Sequence, residues 1–154
     1  MYALCAPWCI CMYIHDMPLI HENFEFKTVK SDDSTFKIII KNGDGLGNNI
    51  EVFEPNKQQN ILVIGIKISL HHKLMRRFLE LNENEQEAIK KKIADFCYSI
   101  KAIHKFLDEN GKKMVGVYIV LDKQEQLNQP YFLNALGEIT EMSEKTNRFV
   151  IKAF

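Results

Sequence analysis

The chain has 154 residues, a length that fits one globular domain. Hydrophobic residues make up 46% of it and charged residues 26%, so it can bury a substantial core. Lys and Arg together number 20, as do Asp and Glu, and this balance argues against a protein that is basic throughout in order to grip a nucleic-acid backbone.

The N-terminal segment, residues 1–22, is predicted to be peripheral to a single folded domain at residues 23–154. It contains three of the four cysteines, Cys5, Cys9 and Cys11, and no Lys or Arg. Cysteines crowded in this way do not form the spread-out framework of a disulfide-bonded protein, so a cytoplasmic location is predicted. The apolar part of the segment is too short to cross a bilayer and lacks the charged start of a signal peptide, so no membrane association is predicted.

Metal binding is not predicted for this chain. The three N-terminal thiols, with His15 or His21 as a fourth ligand, have the chemistry of a zinc site, but their spacing matches no common zinc motif. His71 and His72 are neighbours and would point about 100° apart on a helix, so they cannot share one metal. With no reactive constellation elsewhere, we predict no cofactor and no catalytic residues, and Cys97 is interpreted as an inert core thiol.

Four strands joined by short turns are predicted in the first half of the folded domain. Apolar and polar residues alternate there with the period of two that is typical of a half-buried strand. The predicted strands are 24–28, 36–41, 50–54 and 61–68. The loop at 42–49, which is rich in Gly and Asn, is predicted to connect a hairpin, because a phosphate-binding loop would be followed by a helix.

The periodicity then changes to that of helices, and two helices are predicted before the next strand. The first begins at a predicted N-cap, Ser69. Asn82 and Glu85 resemble a capping box at the start of the second. The apolar stripe of this second helix covers residues 89–107, and Asn110-Gly111 is predicted to end it.

The last third of the domain is predicted to contain one strand and one helix. An almost wholly apolar run, 114–121, predicts a fifth strand in a central position. Asn128 is predicted to cap the last helix, and after Asn147 the pattern fits either more helix or another strand. The whole order predicts an α+β fold, with an antiparallel sheet of about five strands and helices packed on one face.

The candidate interaction surface is the one concentration of basic residues in the sequence. Such a surface can contact phosphates or an acidic partner. Glutamates lie between these residues, and a pair such as Glu87 with Lys91 neutralises part of the charge, so a solvated helix face is the leading interpretation. The surface consists of Lys73, Arg76, Arg77, Lys90, Lys91 and Lys92.

Three stretches carry a resemblance that covers roughly residues 24–154: Asn60–Ser69, the Glu-rich Leu81–Glu87, and Met114–Leu121 leading to Tyr131–Leu133. In this order they resemble an uncharacterised archaeal family of small cytoplasmic proteins that is similar in fold to type III secretion chaperones. The resemblance implies no catalytic residues. It implies a homodimer and the recognition of an extended segment of another protein.

We therefore expect a non-enzymatic, chaperone-like protein-interaction module that binds a segment of a partner protein. Two mechanisms stay open, the addition of a strand at a sheet edge and the docking of apolar side chains in a groove between sheet and helix. The alternative is a nucleic-acid-associated protein that uses the basic surface. A third class, an enzyme assembled from residues distant in sequence, would show a deep pocket with converging polar groups.

Overall fold

The computed structural model describes residues 25–41, 48–58 and 60–154. Within these ranges the chain forms six strands and three α-helices, with a short 3-10 helix at Gln124–Gln126. The strands are β1 (Glu25–Val29), β2 (Ser34–Lys41), β3 (Ile50–Pro55), β4 (Leu62–Ser69), β5 (Ile103–Glu109) and β6 (Lys112–Leu121), and the α-helices are α1 (His72–Glu80), α2 (Glu83–Ser99) and α3 (Gln129–Ala153). The predictions for the Cys-rich segment and for most of the loop at 42–49 lie outside the described residues.

The described strands form one antiparallel sheet in the order β1-β2-β3-β4-β6-β5. The α+β class is confirmed. The sheet has one strand more than the predicted number of about five, because the sequence pattern assigns the residues of β5 to a helix.

Two compact units divide the described residues. The first contains β1 to β3, the start of β4 and the start of α3, while the second contains the end of β4, α1, α2, β5, most of β6 and the rest of α3. In the first unit, cross-strand pairs of β2 and β3 such as Ile38 with Val52 are fully buried, because every second residue of a strand shares a face. The core of the second unit includes Ile66, Ile68, Phe78, Ile93, Cys97, Val115, Val117, Ile139 and Val150.

The start of α1 differs from the prediction. Ser69 is the last residue of β4 and not the helix N-cap, because the buried residues Ile66 and Ile68 continue the period of two to the end of the strand. The N-cap is His71, whose Nδ1 accepts a hydrogen bond from the backbone N–H of Lys73 at 3.5 Å.

The start of α2 confirms the predicted capping box. The N–H of Glu85 donates to Oδ1 of Asn82 at 2.9 Å, and the N–H of Asn82 donates to Oε2 of Glu85 at 3.1 Å. These reciprocal bonds satisfy backbone donors that a helix start otherwise leaves unpaired. Glu83 and Glu85 also place negative charge in the first turn, where the helix dipole is positive.

The predicted second helix is too long. The α2 helix ends at Ser99, and the chain leaves it through Lys101 with a φ of 59°. The N–H of Lys101 donates to the carbonyl of Tyr98, and the N–H of Ala102 donates to that of Cys97, at 3.0 and 2.9 Å. This is the Schellman arrangement that ends many helices, with Lys in place of the usual Gly.

Asn110 and Gly111 form the turn of the β5–β6 hairpin and not the end of a helix. Their φ values are 53° and 79°, both positive as a type I′ turn requires. On either side of this two-residue turn, Glu109 is paired with Lys112, and the antiparallel register continues along all of β5. The prediction that this dipeptide closes a helix is therefore wrong.

The last helix settles the alternative that the sequence leaves open after Asn147. The α3 helix continues through this stretch, and Phe149 stacks on Phe96 of α2 with ring centroids 4.3 Å apart. At the start of α3, Oδ1 of Asn128 accepts a hydrogen bond from the N–H of Tyr131 at 3.2 Å, so the predicted cap is confirmed. None of the described helices is long and apolar enough to cross a membrane.

Candidate functional site

The structure places the six residues of the predicted basic surface on α1 and α2, and ion pairs compensate two of them. Nζ of Lys90 lies 2.9 Å from a carboxylate oxygen of Glu87, and Nζ of Lys91 lies 2.7 Å from one of Asp95. Glu87 therefore pairs with Lys90 and not with Lys91 as predicted, since residues three apart on a helix are also neighbours. The other four are exposed and form no ion pair with a described residue: Lys73, Arg76, Arg77 and Lys92.

The outer edge of β5, the side that faces away from β6, is the candidate functional site. The strand is last in the sheet order, and no other described strand pairs with this side of it. A strand edge without a partner presents backbone N–H and C=O groups that can pair with another extended chain. The candidate site thus consists of the outward backbone groups of β5, together with the side chains next to them.

The hairpin register shows which backbone groups of β5 point outward. The turn makes Glu109 and Lys112 a hydrogen-bonded pair, since the carbonyl of its first residue accepts from the N–H of its fourth. In an antiparallel ladder such pairs alternate with pairs whose backbone groups point away from each other. The outward groups of β5 therefore belong to His104, Phe106 and Asp108.

A separate hydrogen bond supports this assignment. Lys113 is the register partner of Asp108, so its own backbone groups must also point away from β5. The carbonyl of Lys113 accepts a hydrogen bond at 3.1 Å from the N–H of Leu70, which directly follows β4 on the other side of β6. This hydrogen bond therefore agrees with the alternation of inward and outward backbone groups that is counted from the turn.

One face of the edge, the Phe106 face, carries the side chains of His104, Phe106 and Asp108. The rings of His104 and Phe106 meet edge to face, with centroids 5.5 Å apart. Oδ2 of Asp108 accepts a hydrogen bond at 2.5 Å from Nζ of Lys113, and this bond lowers the pKa of Asp108 below its ordinary value. The carboxylate of Asp108 is thus bonded within the hairpin, and Phe106 lies between Asp108 and His104 on this face.

The opposite face of the edge, the Lys105 face, carries a cation without a described partner. Lys105 is exposed, forms no ion pair with a described residue and stands opposite Gly116 in the register, where the ring of Tyr118 lies and no carboxylate of β6 faces it. The carboxylate of Glu109 on the same face lies 2.5 Å from Nζ of Lys67 and is therefore engaged. The side chains of this face are those of Ile103, Lys105, Leu107 and Glu109.

A small cavity of about 40 Å³ lies beside Phe106. Its wall is almost wholly apolar and includes Phe78 of α1, Ile93 of α2 and Val115 of β6. Lys90 also borders it, with its charge compensated by the carboxylate described above. The cavity lacks the converging polar groups that a catalytic pocket needs, and it suits an apolar group.

The chemistry-bearing side chains of the described residues do not assemble into a metal or nucleophile site. Among them, no group of three or more His, Cys, Asp or Glu could hold a metal ion. Cys97 is fully buried, and desolvation raises the pKa of its thiol, although a hydrogen bond with Thr146 acts in the opposite direction. The thiol is therefore kept protonated and unreactive at neutral pH.

Sequence reasoning missed the candidate site, because it placed β5 inside a helix. The dipeptide Asn110-Gly111 is the signal that could have found it, since Asn-Gly before an apolar strand is typical of a type I′ hairpin. The predicted basic surface lies on other elements and contributes only Lys90 to the surroundings of the edge, as a border of the cavity.

Comparison with known proteins gives a family and a fold. Residues 17–150 match the model of a family described as an uncharacterised conserved protein, DUF2299. No curated protein matches the chain. The crystal structure of an uncharacterised protein from Methanothermobacter thermautotrophicus is similar, with a TM-score of 0.74 and 11% sequence identity over 94% of this chain and 99% of that one. This likeness shows a shared fold with an archaeal protein, and the likeness to type III secretion chaperones stays a prediction.

Proposed function

The chain belongs to the DUF2299 family of uncharacterised conserved proteins, and from the geometry of its own residues we propose that it is a non-enzymatic protein-interaction module. It binds an extended segment of a partner protein by strand addition at the outer edge of β5. The observation that carries this proposal is the row of outward backbone groups at His104, Phe106 and Asp108, which no described strand occupies. The role is chaperone-like in that a segment held as an added strand is withheld from other pairing.

The side chains of β5 favour selective pairing over open-ended aggregation. Lys105, Asp108 and Glu109 put charge along the edge, which is the usual protection of an edge strand against unspecific pairing. At the start of the strand, Ile103 is 53% exposed and offers an apolar contact. An edge with both properties fits a partner that brings complementary side chains.

The test removes one outward N–H and leaves the ladder to β6 intact. His104→Pro removes this N–H, whereas the matched control His104→Ala removes the same side chain and keeps it. Tagged forms of the original chain and both variants are expressed in the source organism and treated with a lysine-reactive cross-linker. We expect a partner segment cross-linked to Lys105 in the original chain and in His104→Ala, and its loss in His104→Pro.

Circular dichroism and thermal unfolding establish that both variants fold before they are compared. Equal cross-linking of the Pro and Ala variants to the same segment would rule out strand addition at this edge. Cross-links that join Lys105 only to a second copy of the chain would make β5 a homodimer contact and would replace the partner-protein proposal.

A second candidate function, nucleic-acid binding, is favoured by one observation. Arg76 and Arg77 lie three and four residues after Lys73 on α1, so both are surface neighbours of Lys73, and no described carboxylate compensates the three charges. Binding through this face would weaken steeply with added salt. A mobility-shift assay compares the triple Ala variant with Lys91→Ala, because Lys91 is already paired with Asp95. Loss only in the triple variant would support this function, and no binding by the original chain at low salt would remove it.

A further inference from the structure

We propose that the segment bound by β5 presents a small aliphatic side chain opposite Phe106 and an acidic side chain opposite Lys105. This inference rests on the proposed function and names the chemistry of the partner segment. Its two parts come from two separate features of the edge. One is the apolar cavity beside Phe106, and the other is the charge of Lys105, which no described residue compensates.

The aliphatic part follows from the direction of the added strand's side chains. Phe106 has outward backbone groups, so a residue of the partner pairs directly with it and places its side chain on the same face of the sheet. Phe106 and Val115 border the cavity from that face of the sheet, and Ile93 of α2 and Leu107 line it as well. The side chain opposite Phe106 therefore arrives beside an apolar hollow.

The volume of the cavity limits what can enter it. About 40 Å³ holds roughly three groups the size of a water molecule, whereas a cavity that binds a benzene ring needs roughly 150 Å³. An isopropyl group, as in Val, has three carbons and fits this space. An aromatic ring does not fit it, and a hydroxyl would be buried without a hydrogen-bond partner.

The acidic part follows from the position of Lys105. Opposite charges on directly facing residues of neighbouring strands attract each other, and like charges repel. On the inner side Lys105 faces Gly116 and the Tyr118 ring that lies over it, neither of which carries a carboxylate. The carboxylate of Glu109 on the same face is engaged by Lys67. A carboxylate on the outer strand would be the first cross-strand partner of this cation among the described residues.

The two requirements fix a short motif when the added strand runs antiparallel to β5. In the N-to-C direction the partner places an apolar residue opposite Leu107, a small aliphatic residue opposite Phe106 and an acidic residue opposite Lys105. The synthetic peptide Thr-Thr-Leu-Val-Glu-Thr-Thr, with blocked ends, carries this motif on residues that favour strands. Replacing Val by Thr keeps its shape and strand preference but adds a hydroxyl, and replacing Glu by Lys reverses the charge.

The experiment is a titration of the ¹⁵N-labelled full chain with each peptide, followed by NMR. We expect the amide signals of His104, Phe106 and Asp108 to shift with the Val-Glu peptide. The Val→Thr peptide should bind at least about fivefold more weakly, because its hydroxyl is buried without a partner. The Glu→Lys peptide should bind about fivefold more weakly than the Val-Glu peptide. With Lys105→Glu in the chain, the Glu→Lys peptide should instead be the one that binds more tightly.

Several results would overturn this inference. Equal affinity of the three peptides at β5 would do so and would leave strand addition itself standing. Absence of any shift at the three amides would do so as well, while the His104→Pro and His104→Ala cross-linking pair still decides the proposed function separately. Shifts of these amides on dilution without peptide would assign the edge to a second copy of the chain and would overturn the motif.

Discussion

The ring of Tyr118 folds back over the backbone of Gly116. A Cβ added at Gly116 would lie 2.6 Å from Cε2 and 2.7 Å from Cζ of that ring. The two residues are on the same face of β6, since they are two apart in the strand. Gly is needed at position 116 for space and not for an unusual backbone conformation.

Gly116→Ala should lower the free energy of unfolding by about 1–2 kcal/mol, because the ring of Tyr118 must leave its position. Urea denaturation measures the change. Gly137→Ala is the matched control, since the residue is inside α3 and no atom beyond the backbone of its own helix and its chain neighbours lies within 4 Å of the added Cβ. It should raise stability by about 0.5–1 kcal/mol. The explanation fails if removing the ring with Tyr118→Ala does not reduce the cost of Gly116→Ala.

The capping box at the start of α2 predicts that removing its N-cap side chain lowers the stability of the chain. Asn82→Ala removes the acceptor of the Glu85 N–H and should lower the free energy of unfolding by about 1 kcal/mol. Asn84→Ala is the control, because Asn84 is exposed in the same turn and makes no side-chain hydrogen bond with a described residue. Chemical denaturation of both variants measures the difference, and equal losses would contradict the role of the box.

Replacing the buried side chain of Glu54 in β3 by an apolar one should stabilise the chain. Glu54 is 1% exposed, and its Oε1 has no hydrogen-bond partner among the described residues. Burying an unpaired polar group costs about 1–3 kcal/mol, so Glu54→Met should raise the free energy of unfolding by about that amount. Glu51→Met is the control, since Glu51 is half-buried and its carboxylate lies 3.4 Å from Nζ of Lys37. A lower unfolding temperature for Glu54→Met than for Glu51→Met would refute the prediction.

The buried thiol of Cys97 should resist alkylation while the chain is folded. Its pKa is raised from the ordinary value of 9.0 because burial penalises the thiolate. The folded chain then holds this proton more tightly than the unfolded chain does. Its contribution to stability is therefore fully present below pH 9.0 and is lost as the pH rises through the higher folded-state pKa.

Site-resolved mass spectrometry after iodoacetamide treatment measures the reactivity of Cys97. We expect modification of this residue only after unfolding in urea. Denaturation curves of Cys97→Ala at increasing alkaline pH provide the control, because this variant should lack the thiol-dependent part of the loss. Rapid alkylation of the folded chain at neutral pH would show that the thiol is accessible.

The elements with a strong local signal could be predicted from the sequence. The capping box at Asn82 and the cap at Asn128 both depend on a side chain that bonds to its own helix start, so the sequence alone identifies them. The strands of the first half alternate apolar and polar residues, and the structure keeps that alternation in β2 and β3. Local chemistry was sufficient in each of these places.

Strand β5 could not be recognised from apolar spacing. Ile103 and Leu107 are four residues apart, and residues four apart share a face both in a helix and in a strand. The preceding helix ends at Ser99, and the chain leaves it through Lys101 with a positive φ, where Gly would have been the visible signal. Edge position is also a property of the whole sheet order, and no short stretch of sequence encodes it.

The position of β6 between β4 and β5 has a consequence for folding during synthesis. The ribosome releases β4 and β5 before β6, so each of those strands has an additional open edge until β6 arrives. When β6 inserts, it covers one edge of each and brings residues as far apart as Lys67 and Glu109 into contact. The charged residues of β5 therefore lie on a strand with two open edges at that stage, where charge disfavours unspecific pairing.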